Sequence, residues 1–394
     1  MLTNGSSIGF IVRAFGAFTA LALYAFTVPS VRAQAPAPTP TPISTTTILP
    51  NDQVTFAISA PQASTVSLLF GAVELFAPRP PTAMTRDANG IWSVTIGPLA
   101  PDLYEYSFSV DGVVITDPGW AYQKPQRQPN TSLLLIPGNP PDFIDTQAVP
   151  HGAIHEETYL ASNTQTFRKL LVYTPPGYGS KSYGPLPVLY LYHGAFDTVY
   201  SWPIEGRVQP ILDNLLAAGA VVPMIVVMPD VYSTVPGSPN DEQDPNNTDD
   251  VDAQLINDII PFVNKNYKVQ TDANGRAIAG LSMGGYQTFY SGLVHVKEFS
   301  AIGLFSPIYF PNATDKAAIT AALSNPKLIN HQIKYFQVLI GSDDNVVLPF
   351  TEEIDSLLTN AGVRHTFELV PGGIHSFDVW RPALYNFVQN IFKP

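Results

Sequence analysis

"AIAGLSMGGY", residues Ala277–Tyr286, is an apolar run that stops at a glycine, with a serine two places on and two more glycines behind it. Gly280-Leu281-Ser282-Met283-Gly284 spells G-x-S-x-G. It follows a strand-like run and opens a helix-like one, which predicts a strand–turn–helix with Ser282 at the tip. In so tight a turn, side chains two before and two after the serine collide with neighbouring backbone, and glycine relieves the crowding. Taken alone, the stretch is either a reactive serine on a strained turn or a glycine-rich bend that contains a serine.

Outward from this motif, short apolar runs alternate with amphipathic ones from about Asp142 onward. Strands are predicted at Leu170–Thr174, Val188–Tyr192, Ile225–Met228, Ala277–Ala279, Ala301–Phe305, Tyr335–Ile340 and Thr366–Leu369. Helices are predicted at Val208–Ala218, Val251–Asn266, Gly284–His295, Phe350–Ala361 and Pro382–Phe392. Apolar strands alternating with helices predict a mostly parallel sheet covered on both faces, an α/β fold. From about Asp52 to Pro137 the period is two instead. "VTFAIS", "TVSLLF", "WSVTI", "YEYSFSV", "VVIT" and "SLLLIP" read as short strands, with hairpin turns at Asn89-Gly90 and Asp111-Gly112. That predicts a small immunoglobulin-like β-sandwich.

The expected organisation is therefore an export signal over residues 1–35, a proline-rich linker over 36–50, a β-sandwich domain over 51–140 and an α/β domain over 141–394. The signal rests on Arg13, the apolar run Ala14–Val28, and the small residues Ala33 and Ala35; an uncleaved membrane anchor is the alternative. A secreted or periplasmic location follows from it. The linker, "APAPTPTPISTTTILP", alternates proline with small residues and reads as an extended spacer. "STVPGSPNDEQDPNNTDD", Ser233–Asp250, reads as a solvated loop, because its carboxylates fit no regular calcium-loop spacing; calcium binding is the alternative.

Composition narrows the chemistry. Of 394 residues, 45% are hydrophobic and 13% charged, which suits a globular chain. The net charge of -12 disfavours a nucleic-acid partner. The absence of cysteine excludes disulfides, thiolate metal sites and cysteine catalysis.

A serine alkoxide does not form unaided at neutral pH; a base must take the proton and an acid must orient the base. In this fold the chain order is serine, acid, histidine. His151, His155 and His193 precede the serine. His295 ends the helix that begins at the turn and points away from it. His331 lies in a segment of undefined structure and His365 at a strand start. His375, in the loop after the last strand, is left as the base. Its acid should follow a strand, and "YFQVLIGSDD" offers Asp343 or Asp344. Asp315 reads as a helix cap. The oxyanion donors expected are the amide of Met283, just after the nucleophile, and that of Ala195, beyond the strand end His193-Gly194. His193 itself reads as structural.

"LYLYHGAFDTVYSW", "VVMPD", "AIAGLSMGG", "IGSDD" and "GGIHSFDVW" together resemble the esterase-D superfamily. It includes feruloyl and acetyl-xylan esterases of carbohydrate esterase family one, enterochelin esterases and bacterial mycolyltransferases. The resemblance runs from about Val149 to the C-terminus and is nearest the feruloyl branch. It implies an α/β-hydrolase fold, a triad of Ser282, Asp344 and His375, an oxyanion hole of Ala195 and Met283, and no cofactor or metal. Two departures stand out: Ile374 replaces a glycine before the histidine, and the Asp344–His375 spacing is about one residue longer. "MTRDANGIWSVTIGPL" and "YSFSVDGVVITDP" resemble an early-set β-sandwich.

The expected function is a secreted serine carboxylesterase acting on feruloyl or related esters of plant cell-wall polysaccharide. Phe196, Trp202, Tyr286 and Trp380 are the expected substrate-binding residues, with core packing as their alternative. A siderophore or general aryl esterase is a second reading. A glycan-binding protein working through Trp92, Tyr104, Tyr106 or Trp120 is a third.

Overall fold

The computed structural model describes residues 46–71, 80–127, 130–180, 183–233 and 247–393. The expected export signal, most of the proline-rich linker and residues 234–246 of the acidic loop lie outside them. By its internal contacts Pro42–Pro394 is one compact unit.

The N-terminal part is antiparallel throughout. Its strands are β1 (Thr47–Ile48), β2 (Val54–Ser59), β3 (Val66–Phe70), β4 (Thr82–Ala83), β5 (Thr85–Arg86), β6 (Ile91–Ile96), β7 (Asp102–Val110), β8 (Val113–Ile115) and β9 (Ser132–Ile136). One sheet has the order β1-β2-β6-β5; the other runs β4-β3-β7-β8, with β9 paired to β7. Thr47–Ile48, inside the expected linker, pairs with β2. The Asp111-Gly112 turn between β7 and β8 holds both residues at positive φ, 47° and 86°. That is the twist a two-residue hairpin needs. The Asp111 carboxylate accepts the Ser64 and Thr65 amides at 2.9 and 2.8 Å, pinning the hairpin to the start of β3.

Strand periodicity explains how this part docks on the rest. Along β9, Leu134 and Ile136 join a core shared by both antiparallel sheets, together with Phe56, Leu68, Tyr106 and Phe108. Their neighbours Leu133 and Leu135 face the other way, into the core of the α/β part. Alternate side chains of one strand thus serve two cores, which is why "SLLLI" is apolar at consecutive positions. Arg381 completes the seam. Its guanidinium donates to the Asp102 carboxylate at 2.7 Å, to the Glu205 carbonyl at 3.1 Å and to the Leu103 carbonyl at 3.3 Å.

The α/β part comprises β10 (Ala153–Ala161), β11 (Thr166–Thr174), β12 (Val188–Tyr192), α1 (Ser201–Ile204), α2 (Val208–Ala217), β13 (Ile225–Pro229), α3 (Asn247–Gln254), α4 (Ile260–Asn266), β14 (Arg276–Leu281), α5 (Ser282–Val294), β15 (Ala301–Phe305), α6 (Ala313–Leu323), α7 (Pro326–Gln332), β16 (Tyr335–Gly341), α8 (Leu348–Ala361), β17 (Thr366–Val370) and α9 (Phe377–Asn390). Its sheet has the order β10-β11-β13-β12-β14-β15-β16-β17. Pairing is parallel from β13 through β17 and antiparallel at β10 and β11. Every residue of β12 is buried. Val188, Tyr190 and Tyr192 pack with α3 and α5, whereas Leu189 and Leu191 pack with α2 and α9. A mixed sheet flanked by helices in this way is an α/β-hydrolase architecture.

Three sequence expectations change. The helix expected at Val251–Asn266 starts earlier and is interrupted by a π-helical turn at Leu255–Ile259. Pro261, which has no amide hydrogen to complete the ladder, lies two residues beyond that turn. The last helix starts at Phe377 and carries Pro382 inside it, so His375 stands at its threshold. Asp315 is not a cap: Asn312 caps α6 by accepting the Asp315 amide at 2.9 Å.

Candidate active site

The chain passes from β12 to β13 on one side and then to β14 on the other, so the strand order reverses between β12 and β14. In open α/β sheets the crevice outside the carboxyl ends of the strands at such a point is where ligands bind. Gly194-Ala195 leaves one of these ends and Ser282 the other.

Ser282 sits at φ 52°, a region that non-glycine residues rarely occupy. The turn is held there by close packing. A β-carbon on Gly284 would lie 2.2 Å from the His193 carbonyl oxygen, and one on Gly280 2.4 Å from the Gly284 oxygen. The two glycines of G-x-S-x-G are therefore required by contact. Ser282 is the first residue of α5, and Met283 follows in the turn where backbone N–H groups lack intrahelical acceptors.

His375 lies beside it. Its Nε2 is 3.0 Å from Ser282 Oγ, and its Nδ1 is 2.7 Å from Asp344 Oδ2. All three side chains are buried. A proton on Nδ1, donated to Asp344, would leave the Nε2 lone pair facing the serine hydroxyl. The second Asp344 oxygen accepts the Val347 amide at 3.3 Å, which fixes the carboxylate plane. Asp343 is turned away: its carboxylate accepts from Ser342 Oγ at 3.0 Å, outside the buried site. The loops bearing Asp344 and His375 meet glycine to glycine, since a β-carbon on Gly341 would come within 2.2 Å of the Gly373 oxygen. Trp380 Nε1 donates to Ser306 Oγ at 3.1 Å, and the indole stands edge-to-face on the His375 ring at 4.9 Å.

On the β12 side, a β-carbon on Gly194 would lie 3.2 Å from Ser282 Cβ and 3.6 Å from Asp197 Oδ2. The loop therefore runs in contact with the serine. Among the described residues the Ala195 amide has no backbone acceptor. Phe196 adopts a positive φ of 65° and donates its amide to the Tyr232 hydroxyl. His193 accepts the Val231 amide at Nε2, 3.2 Å away, and so ties the ends of β12 and β13 together.

Of the residues expected to bind substrate, only Phe196 is exposed. Trp202 is 1% exposed, donates to the Tyr192 carbonyl at 2.9 Å and packs against Phe305 and Phe377. Trp380 is 2% exposed and supports the histidine instead. Tyr286 is buried and donates to Asp315 at 2.6 Å; burial pushes the Asp315 carboxyl up, and the tyrosine stays neutral. All three are core residues because their elements bring them under the sheet ends rather than over them. A cleft of about 440 Å³ beside the Gly194–Asp197 loop is instead lined by Arg127, Phe167, Lys169, Asp197 and Tyr232, among others. None of Arg127, Phe167, Lys169 and Tyr232 carries a local sequence signal for this role. Of the aromatic residues considered for glycan binding, Trp92 and Tyr106 are buried, and Tyr104 stacks on Phe70. Trp120 lines a second cleft, with Tyr122, at the seam.

A mixed sheet of this order, with a serine, a histidine and an aspartate hydrogen-bonded in series at its carboxyl ends, is the arrangement of the α/β-hydrolase class. A family model described as "Putative esterase" matches residues 161–391, and the chain belongs to that family. It is similar to an endo-1,4-beta-xylanase/feruloyl esterase of Xylanibacter ruminicola, with 31% identity over 345 residues. That match covers 86% of this chain but only 44% of the relative, so the chain spans less than half of that protein's length. Among solved structures, a CE1 ferulic acid esterase from Anaeromyces mucronatus, in complex with ferulic acid, matches with 25% identity and a TM-score of 0.55. It covers 66% of this chain and 98% of its own. The enterobactin esterase of Shigella flexneri shares the fold at 17% identity and a TM-score of 0.63, over 86% of this chain and 92% of its own. Among the described residues no helix is long and apolar enough to cross a membrane.

Proposed function

We infer that the protein is a serine carboxylesterase in which Ser282 is the nucleophile, His375 the general base and acid, and Asp344 the group that orients it. The hydrogen-bond chain from Asp344 through His375 to Ser282 carries this reading. Ser282 Oγ attacks the ester carbonyl as His375 Nε2 takes its proton. The amides of Ala195 and Met283 receive the oxyanion. His375 then returns the proton to the departing alcohol, leaving an acyl-serine. A water, deprotonated by the same nitrogen, attacks that ester, and the acid leaves as the proton passes back to Ser282. The Asp344 carboxylate, 2.7 Å from Nδ1, holds the imidazolium that forms. No metal or cofactor is needed for these steps.

The substrate class proposed is feruloyl or related acyl esters of plant cell-wall polysaccharide, which the feruloyl esterase relatives support. Arg127, Arg168 and Lys169 also gather around the cleft, where the anion of a catecholate siderophore would need cations. Two of them are already matched locally, Arg168 with Asp230 at 3.2 Å and Lys169 with Glu156, so the cleft is not strongly cationic. The N-terminal strands are proposed to form an early-set β-sandwich over 51–140, ahead of a hydrolase domain over 141–394, and the protein is proposed to be exported. A hydrolysis panel tests the substrate reading. Methyl ferulate is expected to give a higher kcat/KM than acetylated xylan, p-nitrophenyl acetate or a catecholate trilactone; preference for the trilactone would replace it with the siderophore reading.

A further inference from the structure

The loop that carries the Ala195 amide is held from outside the α/β part. Lys124–Arg127 comes from the N-terminal part, between β8 and β9. Its Lys124 is buried and paired with Glu105 of β7 at 3.0 Å and with Glu205, just past α1, at 3.3 Å. The next residue, Pro125, offers its carbonyl to Thr198 Oγ1 at 2.6 Å and Ser201 Oγ at 3.4 Å. Two residues on, the Arg127 amide donates to the Phe196 carbonyl at 2.9 Å. The Arg127 guanidinium lies over the Tyr232 ring, 4.2 Å from its centroid, and the hydroxyl of that same tyrosine accepts the Phe196 amide. Phe196, whose positive φ is unfavourable for a bulky residue, is thereby gripped at both its carbonyl and its amide.

We propose that Lys124–Arg127, with Arg127 stacked on Tyr232, is a positioning strut for the oxyanion loop, so that the N-terminal part is needed for the chemical step. This rests on the serine-esterase reading above. Arg127 is a positioning residue: it acts through Phe196 on the neighbouring Ala195 amide. An oxyanion donor works only when it is aimed at the place where charge develops, and a shift of about 1 Å can cost on the order of 100-fold in rate. Cation–π contact fixes the guanidinium over the ring, and the ring fixes the hydroxyl that receives the Phe196 amide.

The test uses the full chain with Arg127→Ala, Arg127→Lys and Tyr232→Phe. Tyr232→Phe keeps the ring under the guanidinium and removes only the hydroxyl. Steady-state kinetics are compared with the affinity for phenylboronic acid, whose tetrahedral adduct on a serine places an oxygen where the oxyanion forms. The expected result for Arg127→Ala and Tyr232→Phe is a fall in kcat of about 10- to 100-fold. KM should change far less, and boronate affinity should weaken in step with kcat. Arg127→Lys should recover part of the loss. Should Arg127→Ala fail to fold, Tyr232→Phe alone carries the test. Unchanged kcat and boronate affinity, or a rise in KM alone, would overturn the strut. The parent reading fails separately, if Ser282→Ala remains active.

Discussion

Ser282→Ala should lower kcat by roughly a million-fold while leaving the melting temperature within a few degrees of the parent. The size follows from what the hydroxyl does: without it there is no acyl-serine, and residual turnover comes only from water acting within the oxyanion hole. The small structural cost follows from the site. Ser282 Oγ is bonded to His375 alone among the described side chains, so its loss strands no second partner. Alanine must still adopt φ 52°, which the glycine contacts on either side enforce. Hydrolysis of p-nitrophenyl acetate with a thermal unfolding scan checks both halves. Retained hydrolysis would remove Ser282 from the mechanism.

Asp344→Asn should lower kcat about 10,000-fold, and Asp343→Asn should change it less than about threefold. An amide at 344 would present an N–H or a carbonyl to Nδ1. Where it donates, the imidazole carries its proton on Nε2 and has no lone pair for Ser282. The asymmetry between two adjacent aspartates comes from their surroundings. Asp344 is 2% exposed and fixed between His375 and the Val347 amide. Asp343 uses its backbone, not its carboxylate, to hold the loop, donating its amide to the Gly373 carbonyl at 2.9 Å. Comparable losses from both substitutions would mean that the aspartates exchange roles in solution.

Much of the fold was legible because local chemistry and global architecture agree. Val188–Tyr192 and Ala301–Phe305 are apolar at every position, and both are central parallel strands. Asp111-Gly112 marks its hairpin because the turn needs two positive φ values. The strand β10 was not legible: most of its residues are exposed or half-buried at the sheet edge, so "AIHEETYLA" carries little apolar alternation. Helix α6 is hidden for a related reason: its polar and apolar residues are hardly segregated, and Asp315 is buried on the same side as Ile319 and Leu323.

Chain order and elimination lead from the sequence to Ser282 and His375, whose side chains lie 3.0 Å apart. Nothing local in the sequence separates Asp343 from Asp344, because consecutive residues at a strand end differ only in the direction their side chains take. Trp202 and Trp380 misled because large aromatics suit a core as well as a pocket, and their indole N–H groups find buried acceptors at Tyr192 and Ser306. Arg127 and Tyr232 stand 105 positions apart, and no local pattern joins them.

Covalent labelling tests the central claim most directly. The intact protein, treated with a fluorophosphonate that phosphonylates activated serines with loss of fluoride, is weighed and then mapped by peptide mass spectrometry. One adduct per chain is predicted, on Ser282, and none on the Ser282→Ala protein. An adduct on another residue, or full hydrolytic activity after Ser282 has been modified, would contradict it.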